Sequence, residues 1–160
     1  MGIFRCEANG NYSSVGFTAK ARRRRKDAKM YEPTEEENRI SSPIVDAALT
    51  VHRALGPGLL ESVYEKCLVY ELSRRRTIVA RQVLIPVVYE DLRIGNAFRM
   101  DLLVGDLIIV EVKAVETVPP LFKAQLLAYL KLSGRHLGLL INFNVARIKE
   151  GIQRVVLSTN

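Results

Sequence analysis

The sequence predicts a mixed α/β domain with element order ααβββαββ, spanning residues 41–160 behind a tail of residues 1–40. Three observations lead there. Apolar residues recur at helical spacing between 44 and 72, the pattern then turns to Val- and Ile-rich runs from Thr77, and a further helical stretch separates those runs from two closing strands.

Taken in order, Ser42 is a good N-cap and Pro43 suits a first helical position, so a helix is expected to start there. Ile44, Ala47, Ala48, Val51 and Leu55 form its apolar repeat, and Gly56-Pro57-Gly58 stops it. A second helix follows with Leu60, Val63, Tyr64, Cys67, Leu68 and Leu72 on its buried stripe, ending near Arg74-Arg75-Arg76. Residues 77–89 read as a strand, with Pro86 marking an edge or a bulge. Glu90-Asp91 turns the chain and Gly95-Asn96 marks another turn or kink. The apolar runs 97–104 and 107–114 are joined through Gly105-Asp106, a hairpin signal. Pro119-Pro120 opens a third helix carrying Leu121, Ala124, Leu127, Ala128 and Leu130 to about Leu132, and Gly134 ends it. Residues 137–143 are a short buried strand, Ile148 closes a short turn, and 152–157 form a last strand.

Composition narrows the classes. Nearly half of the 160 residues are hydrophobic, which excludes global disorder, and ten Gly with six Pro exclude a collagenous chain. Cys6 and Cys67 are too few and too distant for a disulfide framework, and His52 and His136 have no ligand-spaced neighbours. Zinc and haem chemistry are not expected, and a reducing compartment fits. No apolar run reaches the roughly 18 residues of a membrane span. The start Met1-Gly2-Ile3-Phe4-Arg5-Cys6 fits neither a myristoylation nor a secretion signal, so a cytoplasmic protein is expected.

The net charge of +7 tilts expectation toward polyanionic partners, yet it is unevenly spread. The first forty residues hold nine basic and six acidic side chains, among them Lys20-Ala21-Arg22-Arg23-Arg24-Arg25-Lys26 and Glu35-Glu36-Glu37. With no hydrophobic period, residues 1–40 are expected to be a disordered tail. It reads as a nucleic-acid contact or an address signal; a solvated charge run, or non-native sequence from an upstream start, is the plainer alternative.

Chemistry concentrates between Met100 and Lys113. Two apolar strands here carry charges at interior positions, and an unpaired buried charge is costly. Glu111 and Lys113 share one strand face. A two-residue loop would set Asp101 opposite Val110, whereas a three-residue loop over 105–107 pairs Asp101 with Glu111, Met100 with Val112, Leu102 with Val110 and Val104 with Ile108. The second register keeps apolar with apolar and acid with acid, and is the one predicted. Opposed carboxylates repel, and a divalent cation such as Mg²⁺ or Mn²⁺ relieves that repulsion while keeping waters and phosphate oxygens as further ligands. Lys113 could then stabilise developing negative charge or position an attacking water. The plain alternative is a surface Glu111–Lys113 ion pair. Acid-x-Lys alone is weak: Asp27-Ala28-Lys29 repeats it in the tail. Gln125 and Tyr129, four apart, share a face of the third helix. Glu61 sits in the first turn of the second helix, where a carboxylate suits the helix dipole, and the hydroxyl of a buried Tyr64 needs a partner.

At these residues a resemblance appears. Gly58-Leu59-Leu60-Glu61-Ser62-Val63-Tyr64 resembles the signature of the bacterial GxxExxY family. Val51-His52-Arg53-Ala54-Leu55-Gly56-Pro57-Gly58 resembles its opening, and Leu139-Leu140-Ile141-Asn142-Phe143-Asn144 its closing segment, the likeness covering about residues 43–157. That family is placed among the PD-(D/E)XK nuclease-like proteins, which implies a restriction-endonuclease-like αβββαβ core, a mixed sheet flanked by helices. The resemblance implies Asp101 as the motif aspartate, Glu111 as the second acid and Lys113 as the motif lysine. It implies Glu61 as an added helix-borne metal ligand, and Gln125 and Tyr129 as a QxxxY element. Met100 departs from the proline of the superfamily name.

The leading expectation is a Mg²⁺- or Mn²⁺-dependent nuclease acting on DNA, or on RNA, with Asp101, Glu111 and Glu61 toward the metal and Lys113, Gln125 and Tyr129 completing the site. The alternative is a non-catalytic module binding nucleic acid or protein on the same scaffold. A homodimer suits enzymes that cut both strands, but no residue pattern here points to one.

Overall fold

The computed structural model describes residues 31–158. Expectations about residues 1–30, the basic run and Asp27-Ala28-Lys29 included, lie outside them. Along the chain run α1 (Glu35–Leu55), α2 (Glu61–Arg74), β1 (Val79–Tyr89), β2 (Leu92–Val104), β3 (Ile108–Lys113), α3 (Pro120–Ser133), β4 (Leu137–Asn142), the single turn α4 (Ile148–Gly151) and β5 (Ile152–Val156). The mixed α/β class stands.

The strands form one sheet in the order β1-β2-β3-β4-β5, in which β3 and β4 are parallel and every other neighbouring pair is antiparallel. A parallel pair needs a crossover, and α3 supplies it. α1 and α2 cover one face through Ile44, Ala47, Ala48, Val51, Tyr64, Leu68 and Leu72, packed on Leu102, Val104, Val110, Val112, Leu139 and Ile141. α3 covers the other through Leu126, Tyr129 and Leu130, packed on Ile85, Met100, Leu103, Ile109 and Leu140. Because both faces are covered, all six residues of β3 and of β4 are buried. Each fully buried Leu or Ile adds about 1.5–3 kcal/mol.

Several element boundaries and faces differ from the sequence reading. α1 begins at Glu35, not after Ser42: Thr34 forms a capping box with Glu37, and three acids occupy the first turn. Pro43 therefore lies inside the helix, where it removes one hydrogen bond; the turn before it is tied by the Ser41 hydroxyl donating to the Asn38 carbonyl at 3.0 Å. Residues 35–40 are thus helix rather than tail. Tyr31 also belongs with the described body, stacking on His136 at 4.6 Å and donating to Glu37 at 2.7 Å. Glu37 raises the Tyr31 hydroxyl, already lifted by burial, to about 12.

Leu60, which caps α2, and Val63 within it are exposed, leaving Tyr64, Leu68 and Leu72 as the core stripe. On α3, Leu121 and Ala124 face outward and Leu126, Tyr129 and Leu130 inward, a face rotated from the expected one. β2 starts at Leu92 rather than Ala97, because Glu90-Asp91 makes a two-residue turn that pairs Tyr89 with Leu92. The expected kink at Gly95-Asn96 is a bulge opposite Pro86, where the register shifts between Ile85 and Val87.

The 105–107 loop does set the predicted register, with Leu102 against Val110 and Val104 against Ile108. Gly105 and Asp106 adopt φ of 60° and 58°, and the turn is closed by the Leu107 N–H on the Val104 carbonyl.

Candidate active site

The site forms where the β2–β3 ladder ends. Past Leu102 and Val110 the strands open, and side chains take over the backbone hydrogen bonds. The Asp101 N–H donates to Glu111 Oε1 at 3.3 Å, and the Val112 N–H donates to Asp101 Oδ2 at 3.0 Å. The predicted opposition of the two acids is realised, although through these bonds rather than a continuing backbone pair.

Glu111 and Lys113 lie on the sheet face that Ile109 presents to α3, and both are buried. The Lys113 ammonium is surrounded: Glu111 Oε2 at 3.4 Å, Glu61 Oε1 at 3.4 Å, Asp101 Oδ2 at 3.7 Å and the Val112 carbonyl at 3.0 Å. It also stands 5.3 Å from the centroid of the Phe122 ring. Three carboxylates around one ammonium leave excess negative charge. Burial, and then the Asp101 charge, push the Glu111 carboxyl up to about 7 against the pull of Lys113. Burial opposes the charge on Lys113, but Glu111, Asp101 and Glu61 outweigh it and hold the ammonium above its ordinary range.

Glu61 reaches the cluster from the opposite helical layer because it begins α2, whose preceding loop is held by Tyr64. The Tyr64 hydroxyl donates to the Gly56 carbonyl at 2.7 Å and accepts from the Leu59 N–H at 3.1 Å, while its ring stacks on Phe143 at 4.5 Å. A Gly-x-x-Glu-x-x-Tyr spacing therefore has a local cause: the tyrosine ties back the loop that aims the glutamate. Gly58, at φ 98°, supplies a left-handed turn in that loop.

α3 lies over the site with Phe122, Gln125 and Tyr129 on one face. Gln125 Nε2 donates to the Tyr129 hydroxyl at 2.6 Å. Burial and the Glu111 charge raise the Tyr129 hydroxyl. Lys113 thus contacts each of the predicted acids Asp101, Glu111 and Glu61, Asp101 also bonds Glu111, and Gln125 and Tyr129 are bonded to each other beside them.

Two residues hold places to which the sequence assigned no role. Asn142 ends β4 next to Lys113; its amide accepts from Val115 N–H at 3.0 Å and Asn144 N–H at 3.2 Å and donates to the Val115 carbonyl at 2.8 Å, fixing the chain as it leaves β3. Its only signal is an amide closing an apolar run. Glu65 is buried and bonded to Arg81 and Gln82. Its signal is a carboxylate spaced three and seven before Leu68 and Leu72.

Chemically, Asp101 and Glu111 present hard oxygen donors that fit Mg²⁺ or Mn²⁺, which take one or two carboxylates and complete their shell with water and phosphate oxygens. Among the described residues no group of three or more His, Cys, Asp or Glu side chains is gathered closely enough to hold an ion alone. Glu61 contacts Lys113 instead. A separate cavity of about 160 Å³ between α1 and α2, lined by Val51, Ala54, Leu55, Cys67 and Tyr70 among others, is apolar and unsuited to an anionic substrate.

Residues 38–155 match the family model of the PD-(D/E)XK nuclease superfamily, and the chain belongs to that superfamily. No curated protein and no solved structure matches it. No helix among the described residues is long and apolar enough to cross a membrane.

Proposed function

From this membership and this geometry, we propose that the chain is a divalent-metal-dependent nuclease hydrolysing phosphodiester bonds of DNA, or of RNA. One observation carries the reading: a buried Glu111, costly to ionise, is kept beside Asp101 and Lys113 where two strands open. Packing alone would favour apolar residues there. Asp101 and Glu111 would hold Mg²⁺ or Mn²⁺, with Glu61 assisting from the mouth of the site. The ion would supply an activated water and offset charge on the phosphate.

Lys113 stays protonated at neutral pH, so it serves as a fixed positive charge and donor toward the phosphate rather than as a base. Tyr129 stays a neutral hydroxyl, oriented by Gln125, and can donate to a phosphate oxygen or a water. The Gly58, Glu61 and Tyr64 spacing supports a place within the GxxExxY family.

Cleavage of mixed single- and double-stranded substrates with Mg²⁺ or Mn²⁺ tests the reading. Glu111→Ala and Lys113→Ala should each lower the rate by about 10²-fold or more. Equal activity in wild type and both variants would mark a contaminant and end the assignment.

A second reading, a non-catalytic module binding nucleic acid or protein, is favoured by one observation. Lys113 already contacts all three carboxylates, so each has a cationic partner without an ion. Mn²⁺ titration of the full chain separates the two, since only the enzyme needs an ion at Asp101 and Glu111. A cytoplasmic location and a homodimer belong to the same proposal and are tested by fractionation and by light scattering.

A further inference from the structure

Glu65 lies one turn beyond Glu61 on α2, 8% exposed, with both oxygens engaged. Oε1 accepts from Arg81 Nε at 3.1 Å and Nη2 at 2.9 Å, and Oε2 accepts from Gln82 Nε2 at 2.9 Å. Gln82 is strained, for its φ is 51° within a strand and it carries a Cβ. Its neighbours pair normally, Arg81 with Leu102 and Val83 with Met100, so Gln82 stands opposite Asp101.

At that point both strands exchange faces. Val79, Leu102 and Val104 belong to the α1–α2 layer, whereas Val83, Ile85 and Met100 belong to the α3 layer. Asp101 sits at the crossover, its N–H turned to Glu111 and its carboxylate to Val112.

We propose that Glu65 is a positioning residue for the Asp101–Glu111 acid pair, holding the left-handed kink at Gln82 against α2 and so setting where Asp101 stands. The inference rests on the nuclease reading for its purpose but not for its geometry. It makes α2 the common reference of the site, because the helix that begins with Glu61 also fixes, through Glu65, the strand carrying Asp101. A bystander ion pair would have no reason to spend its second oxygen on the strained residue.

The test compares wild type, Glu65→Ala, Glu65→Gln, Gln82→Gly and the double variant Glu65→Ala/Gln82→Gly. Mn²⁺ affinity, cleavage kinetics and amide exchange at Asp101 and Val112 are measured on each full chain. Glu65→Ala should weaken Mn²⁺ binding about 10-fold or more, as loss of a supporting group does, and lower kcat more than it raises KM. Glu65→Gln, keeping an acceptor for Arg81, should recover most of the affinity. Glycine tolerates the kink unaided, so Glu65→Ala should cost less affinity on the Gln82→Gly background. Unchanged Asp101 and Val112 exchange in both Glu65 variants overturns the inference whether or not metal binds. An equal loss of affinity on both backgrounds overturns it too. If wild type neither binds Mn²⁺ nor cleaves while exchange at those amides rises in Glu65→Ala, the nuclease reading fails and the positioning role stands.

Discussion

Glu111→Gln removes one ionisation from the site while leaving its shape, and its effect on stability can be worked from the structure. The Glu111 carboxyl is moved from 4.5 to about 7, chiefly by burial. With the side chain only 5% exposed, little solvent screening reduces that shift, and about 3 kcal/mol of folding free energy is at stake. The sign follows from linkage. The folded protein binds this proton more tightly than the unfolded chain, so the contribution of Glu111 to stability is greatest below about 4.5, falls as pH rises toward about 7, and is flat above. The glutamine variant has no such titration. Lys113 keeps its Asp101 and Glu61 contacts in both proteins and is charged throughout this range.

Urea denaturation in EDTA at pH 4.5 and pH 8 measures the difference. Relative to wild type, the variant should gain about 3 kcal/mol between these pH values. At pH 8, Mn²⁺ at about 100 times its dissociation constant should then return about 2.7 kcal/mol to wild type and nothing to the variant. A difference independent of pH, or one of opposite sign, would refute the burial of an ionisable Glu111. Equal stabilisation of both proteins by Mn²⁺ would refute its part in metal binding.

Tyr64→Phe keeps the stacking on Phe143 but removes bonds to Gly56 and Leu59, and should cost about 1–2 kcal/mol by thermal or urea denaturation. Because that loop aims Glu61, its cleavage rate should also fall while Glu61→Gln in the same background adds little further loss. Asn142→Ala removes three hydrogen bonds that fasten the chain after Lys113, and should cost about 2–3 kcal/mol on denaturation. Gly151→Ala would place a Cβ 2.1 Å from the Asn142 carbonyl oxygen, a backbone atom that cannot rotate away, and should lower stability by about 3 kcal/mol or prevent folding. By contrast, the Cβ of Gly105→Ala meets the Ile40 side chain at 2.7 Å, which has rotamers available, so the steric part of its penalty should be smaller.

Much of this was legible in local pattern. Gly105-Asp106 between apolar runs, together with the matching of acid to acid, was enough to choose the register that sets Leu102 against Val110, because a slip by one residue would reverse every side chain. Pro119-Pro120 and Gly134 bracketed α3 for equally local reasons. The start of α1 was misplaced because a good cap at Ser42 competed with a better one: Thr34 is answered by Glu37, and that reciprocity outweighs an internal proline once the helix is packed. The faces of α2 and α3 were harder. α2 carries apolar Val63, Val69 and Tyr70 off its core stripe, and α3 carries Leu on several sides, so spacing could not choose between Leu126 and Leu121, and contact with β1, β4 and β5 did.

By itself, the sequence determined the class of the fold, its hairpin and the acids and lysine that stand close in β2 and β3, since these depend on neighbours within a few residues. Only the tertiary structure decided that Glu61 reaches Lys113 from across the chain, that Asn142 straps the exit of β3, and that Glu65 seizes Gln82 opposite Asp101. Those contacts join residues far apart in the chain and depend on how helices seat on a twisted sheet. The strain at Gln82 has the same origin, because no local preference places a glutamine in a left-handed conformation within a strand, and there it is flanked by residues paired with β2 and bonded to Glu65 of α2.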